Sequence, residues 1–288
     1  MSFGIRRGID VLLLLNKLIN MTDSDSSGMH IDPGRAKHLS ESLSLVLSRI
    51  QGATSNAQTS VRLVAVSKLK PASDILTLYQ STHRQLHFGE NYQQELLRKS
   101  QLLPSEIRWH FIGALQTNKC KPLAEQIPNL WCVESVDTAK KADQLEKGRL
   151  ALCEREKQYI DIPLRVFVQV NTSGETEKSG IEPQSAADLC KHVKEQCPHL
   201  LLQGVMTIGA LARSVEAAQG KENEDFLSLV QVRDHITEEL HIPKDELELS
   251  MGMSNDFESA IRYGSNEVRV GSTIFGERPS KQDAKLQD

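Results

Sequence analysis

Lys68 closes a short apolar run, Val61-Arg62-Leu63-Val64-Ala65-Val66-Ser67-Lys68, and Leu69-Lys70-Pro71 follow it. The run reads as a buried parallel strand, and Pro71 as the first turn of a helix. An amine therefore sits at the carboxyl end of a strand, the edge where barrel and open α/β folds place their chemistry. A partly desolvated lysine there can keep its amine neutral enough to form a Schiff base with an aldehyde. On position alone, a surface lysine that happens to end a strand is the commoner case.

Two later segments suit an anion. Met251-Gly252-Met253-Ser254 follows the seventh strand of the pattern, and Ser254 is placed to cap the next helix. A capped helix start is also an anion site, so the structural and binding readings of Ser254 coexist. Gly271-Ser272-Thr273 follows the eighth strand, where a glycine and two hydroxyls let backbone N–H groups approach a phosphate. Barrels commonly hold phosphate with these two loops. Arg269 lies in a strand otherwise made of valine, and either faces a polar cavity or pairs with a barrel acid. An amine, a phosphate cradle and a strand-borne guanidinium together describe a pocket for pyridoxal 5'-phosphate.

The elements that must position these groups alternate. Leu39, Leu43, Val46, Leu47 and Ile50 recur at helical spacing ahead of the Lys68 strand. Further strands are expected near 86–88, 109–113, 130–134, 164–170, 202–209, 247–250 and 267–270. Helices are expected between them. One is opened by Asp137 as N-cap, one starts near Pro183, and one runs from about Asn255 to Tyr263. Residues 212–223 read as a surface loop. Eight strands separated by helices imply an α/β fold, a single (β/α)8 barrel with an extra N-terminal helix. The barrel is expected over 31–278, with an extension over 1–30 and a polar tail over 279–288. Gly174 to Gly180 contains glycines and a lysine but no Walker A order.

Bulk properties narrow the class. The chain has 288 residues, 34 Lys+Arg and 38 Asp+Glu, giving a net charge of −4. Its basic residues form no aromatic-interleaved stripe, so a nucleic-acid partner is not expected. No run reaches membrane-spanning length, so no membrane partner is expected. Five irregularly spaced cysteines suit a reduced cytoplasmic setting, and the histidines show no metal-ligand spacing. His83 and His87 read as ordinary polar residues. Arg6-Arg7 before an apolar stretch offers a mitochondrial presequence as the alternative location, against which Asp10 argues.

Seven ordered motifs carry a resemblance. They are Ala65-Val66-Ser67-Lys68, His87-Phe88-Gly89-Glu90-Asn91, Trp109-His110-Phe111-Ile112-Gly113, Val170-Asn171-Thr172-Ser173-Gly174, Met206-Thr207-Ile208-Gly209, Leu249-Ser250-Met251-Gly252-Met253-Ser254 and Val268-Arg269-Val270-Gly271. From the first helix to Glu277 the chain resembles the pyridoxal phosphate homeostasis protein family. The resemblance implies the alanine racemase N-terminal (fold type III) barrel, with Lys68 holding pyridoxal phosphate as a Schiff base. It implies that Ser254, Gly271, Ser272 and Thr273 bind the phosphate, that Asn91 lines the pocket, and that Arg269 faces the ring nitrogen. An arginine there disfavours ring protonation and weakens the electron sink, which suits holding better than carbanion chemistry. Ala114 and the hydroxyls of Ser272 and Thr273 depart from some members without touching cofactor binding.

Only eleven polar residues follow Glu277, so the β-domain of the racemases is not expected. The four tyrosines fall mostly in expected helices. The first hypothesis is therefore a monomeric carrier acting in vitamin B6 homeostasis and amino-acid balance, with apo forms of pyridoxal phosphate enzymes as partners. The second is an amino-acid racemase or related enzyme using the same lysine. The third is a phosphate-binding barrel without aldehyde chemistry.

Overall fold

The computed structural model describes residues 29–54, 60–175, 179–218 and 221–277. Most of the expected extension and the whole expected tail, Arg6-Arg7 included, lie outside the described residues. Helix α1 (Pro33–Thr54) comes first. The alternation then runs β1 (Arg62–Val66), α2 (Ala72–Gln80), β2 (His87–Glu90), α3 (Gln93–Leu102), β3 (Arg108–Phe111) and α4 (Thr117–Gln126). It continues β4 (Leu130–Val136), α5 (Ala139–Arg155), β5 (Leu164–Gln169), α6 (Ala186–Gln196), β6 (Leu200–Met206), α7 (Leu211–Ala218) and α8 (Glu224–Glu239). It ends with β7 (Glu248–Met253), α9 (Phe257–Arg262), β8 (Glu267–Val270) and the short α10 (Ser272–Phe275). The strands pair in parallel in sequence order, and β8 closes on β1 through Arg62–Glu267 to Ala65–Val270.

The strands are buried nearly end to end because helices cover the outside and side chains fill the inside. On α1, Leu39, Leu43, Val46 and Ile50 are buried, as their spacing predicts, and the helix packs over α2, α9 and α10. The barrel interior is not uniformly apolar. His110, Glu134, Ser250, Glu267 and Arg269 are all buried. Arg62 closes the amino-terminal end with a two-pronged contact to Glu248 (2.7 and 3.0 Å) and a 3.0 Å contact to Glu267. No helix among the described residues is long and apolar enough to cross a membrane.

Three local expectations fail. Residues 211–218 form helix α7 where a loop was expected, because Leu, Ala, Arg and Glu supply strong helix propensity under a polar surface pattern. Helix α5 is capped by Thr138, whose side chain accepts from the Lys141 N–H, while Asp137 pairs with Lys141 at 2.7 Å. Near Pro183 the chain makes a single 3₁₀ turn, and α6 proper begins at Ala186.

Candidate functional site

Lys68 lies two residues beyond the end of β1, half-buried in a tight turn. The next residue, Leu69, has φ = 60°, a conformation that L side chains with bulk adopt only when held. The holding groups lie beneath it. The Leu69 N–H donates to Glu95 Oε1 at 2.7 Å. Lys99 donates to the Ser67 carbonyl (2.9 Å), Glu90 Oε1 (2.7 Å) and Glu95 Oε1 (2.6 Å). The Ser67 hydroxyl donates to Glu90 Oε1 at 2.6 Å. All three protons of the Lys99 ammonium are thus used inside the protein, where the group is 3 % exposed. Its two acid partners raise its pKa against the opposing effect of burial.

One ammonium serves two carboxylates here, and Glu90 Oε2 is buried with no hydrogen-bond partner. Burial pushes Glu90 up to about 7, against the pull of Lys99. Glu267, inside the barrel, is likewise pushed up to about 7 by burial and then by Glu134. A carboxyl raised in the folded state binds protons that the unfolded chain has released, so stability falls as pH rises from 4.5 to about 7. Urea unfolding across that range should show the fall. Glu90→Gln should remove part of the slope and leave the Glu267 part; an unchanged slope would place the Glu90 proton elsewhere.

Asn91 follows β2, the neighbour of β1, and its Oδ1 is buried with no hydrogen-bond partner. Its backbone is pinned by Gly113, where an added Cβ would lie 2.3 Å from the Asn91 carbonyl oxygen. Gly113→Ala is expected to displace Asn91 and weaken cofactor retention at least tenfold while the barrel still melts cooperatively; cofactor titration and circular dichroism check this.

On the other side of β1, Gly271 abuts Val66, with the position of an added Cβ 3.3 Å from the Val66 carbonyl oxygen. The Gly271 N–H donates to Ser254 Oγ at 3.1 Å. Ser254 is therefore not the cap of α9, which begins at Phe257. Asp256 occupies the cap position, and its Oδ1 accepts from the Met253 N–H at 2.7 Å. The Ser254 hydroxyl instead ties the β7 loop to the β8 loop. Ser272 and Thr273 open α10, where the first N–H groups have no intrahelical partner.

Arg269 is buried and satisfies both earlier readings in part. Its Nη2 donates to the Thr207 carbonyl at 2.7 Å, its Nη1 donates to Ser250 Oγ, and Glu134 Oε2 lies 3.5 Å away as the barrel acid. Behind it runs a chain of hydrogen bonds whose direction can be assigned. Burial pushes His110 down to about 4 and His87 down to about 2, so both rings are neutral. Arg108 can only donate to His87 Nε2, so His87 Nδ1 donates to His110 Nε2 (2.8 Å) and His110 Nδ1 donates to Glu134 Oε1 (2.9 Å). His87 Nε2 then accepts from Arg108 (3.3 Å). On the other carboxylate oxygen, Ser250 Oγ donates to Glu134 Oε2 at 2.8 Å. His87, expected as an ordinary polar residue, is a link in the support of Arg269.

The arc β7–β8–β1–β2 thus brings Ser254, Arg269, Gly271, Ser272, Thr273, Lys68 and Asn91 to one edge of the barrel. Across the mouth, over β3, β5 and β6, lies a cavity of about 240 Å³. Ile112, Gln169, Asn171, Thr172, Thr207 and Gly209 line it, and among the described residues no charged side chain does. Ser67, Glu90, Glu95 and Lys99 were missed as supporting residues. The Glu95–Lys99 spacing of four was the available signal, but such a pair ordinarily marks a solvated helix face.

The site fits pyridoxal phosphate on its own chemistry. It holds an amine at a strand end, an unpartnered buried amide oxygen, hydroxyls beside a side-chain-free approach at Gly271, and an inward guanidinium.

Comparisons with known proteins agree. The family described as alanine racemase, N-terminal domain, matches residues 43–279. A Schizosaccharomyces pombe protein named pyridoxal phosphate homeostasis protein is 44 % identical over 244 residues, covering 85 % of this chain and 94 % of its own. The crystal structure of an unknown protein from Bifidobacterium adolescentis superposes with a TM-score of 0.71 at 31 % identity, over 88 % of this chain and 100 % of that one. PipY of Synechococcus elongatus, solved with pyridoxal phosphate bound, gives a TM-score of 0.62 at 27 % identity, over 83 % of this chain and 100 % of that one. With this fold, this edge of the barrel and these relatives, the chain belongs to the pyridoxal phosphate homeostasis protein family.

Proposed function

We propose that this protein binds pyridoxal 5'-phosphate through Lys68 and acts as an intracellular holder of that cofactor rather than as a catalyst. The observation that carries the binding is Lys68 in a held turn, flanked by the unpartnered amide oxygen of Asn91 and the joined β7 and β8 loops. Bound there, the cofactor would supply the aldehyde and Lys68 the amine of a Schiff base, with water as the leaving group. Ser254, Gly271, Ser272 and Thr273 take the phosphate. Arg269, held by Ser250 and the Thr207 carbonyl, would face the ring nitrogen and disfavour its protonation.

The holding role is supported by the relatives, which are named for homeostasis. Among the described residues, the lining of the cavity across the mouth offers hydrogen-bonding groups. Release to apo forms of pyridoxal phosphate enzymes completes this reading.

Borohydride treatment of the purified protein should fix a pyridoxyl group on the peptide carrying Lys68. Fixation confined to another lysine would overturn the binding assignment. D- and L-amino acids should give no turnover at ordinary enzyme rates, and turnover that depends on Lys68 would overturn the holding role. Transfer to an apoenzyme in the presence of a trap for free cofactor should persist; its loss under the trap would replace direct delivery by simple release.

A further inference from the structure

On the outer wall of the barrel, α5 and α6 lie side by side, far along the chain from every residue assigned to the cofactor. Asp143 on α5, His192 on α6 and Cys197 immediately after α6 bring one donor atom each within 4.8 Å of one another. Asp143 Oδ1 and His192 Nε2 are already 2.7 Å apart. Cys197 is buried, whereas the His192 and Asp143 side chains are 29 % and 46 % exposed, so the group is closed on the protein side and open to water. We propose that Asp143, His192 and Cys197 form a zinc site that ties α5 to the end of α6.

The ligand set selects the metal. One thiolate, one imidazole and one carboxylate are borderline-soft donors in the mixture zinc takes, and hard cations such as magnesium or calcium avoid sulfur. Zinc bonds of about 2.0–2.3 Å set tetrahedral donor atoms roughly 3.3–3.8 Å apart. Contraction of a cluster already within 4.8 Å, with the Asp143–His192 pair opening slightly, reaches that geometry. The exposed side leaves water as the fourth ligand.

Charge favours the same occupant. Cys197 Sγ lies within 4.8 Å of an Asp143 carboxylate oxygen, and Glu146 adds a second negative charge to its surroundings. A thiol facing two carboxylates sits in a negative pocket that a divalent cation would relieve. Glu146 is committed elsewhere, accepting from the His199 N–H at 2.9 Å and meeting His199 Nδ1 at 2.5 Å, so it contributes field and no bond. Binding replaces the thiol proton with the metal: the S–H bond breaks, the S–Zn bond forms and one proton goes to solvent. His192 enters as the neutral ring, coordinating through Nε2 with its remaining proton on Nδ1. As a hydrogen-bonded pair beside an inert cysteine, the same residues would hold no metal, and the experiment separates the two.

Cobalt(II) serves as the spectroscopic probe on the full-length, cofactor-loaded protein, read as a difference spectrum. A near-ultraviolet thiolate-to-cobalt band is expected, saturating at one equivalent and displaced by zinc. About one proton should leave per metal bound. His192→Gln and Cys197→Ser should each abolish the band. Zinc should raise the melting temperature of the wild type and of neither variant. Absence of the band in the wild type, or its survival in either variant, overturns the site. Should Cys197→Ser fail to fold, His192→Gln decides, because that side chain lies at the surface. Cofactor content is read separately by borohydride fixation, so failure of the cofactor assignment would not be confused with failure of this one.

Discussion

Lys68→Ala protein is expected to purify colourless and to carry no pyridoxyl group after borohydride. The proposed covalent bond would have one donor, and the substitution removes it. The rest of the site stays, because Ser254, Gly271 and Arg269 are held by contacts that do not involve Lys68. The fold should be nearly untouched: the side chain is half-buried in a turn, and surface-type substitutions usually cost less than about 0.5 kcal/mol. Pyridoxal phosphate should therefore still bind to Lys68→Ala, reversibly and far more weakly, through its phosphate and ring. Fluorescence titration and equilibrium dialysis would show this residual binding, and Arg269→Leu in the same background should abolish it. A yellow Lys68→Ala protein whose cofactor is reducible onto another lysine would sink the assignment.

The main lines of the proposed site are drawn from the chain because they are local. An apolar run ending in Ser67-Lys68 and a proline three residues later mark a strand end, and alternation along the chain implies the barrel. Gly271-Ser272-Thr273 is legible for the same reason, since a glycine and its followers do their work in one turn. What supports these groups was not legible, because the partners meet across the barrel. Lys99 reaches the Ser67 carbonyl over 32 residues, Arg269 reaches Thr207 over 62, and Ser250 reaches Glu134 over 116. No periodicity reports such pairings. Ser254 shows the intermediate case. Its loop after the seventh strand could be anticipated, but its bond to Gly271 depends on two loops lying side by side.

Lys99→Met should be the most damaging single change outside the cofactor's own contacts. Methionine matches the stem of the lysine and leaves Glu90 and Glu95 beneath the turn without their cation. Breaking a buried pair by removing one partner costs about 3–5 kcal/mol, a large part of a stability of roughly 5–15 kcal/mol. The Ser67 carbonyl also loses its donor, so the turn that carries Leu69 at positive φ loses part of what holds it. Two readouts separate the consequences. Urea unfolding should show the lost stability, and the rate of cofactor release should rise even at temperatures where the variant is fully folded. Part of the damage should be reversible by design: adding Glu90→Gln and Glu95→Gln removes the two acids that Lys99 no longer balances, and replacing a whole buried ion cluster by neutral groups is often close to neutral. The triple variant should therefore regain most of the stability. It should not regain slow release, because glutamine at position 95 can still accept from the Leu69 N–H but nothing replaces the bond to Ser67. A triple variant that recovers both would show that the Lys99 charge, and not its grip on the Ser67 carbonyl, holds Lys68 in place.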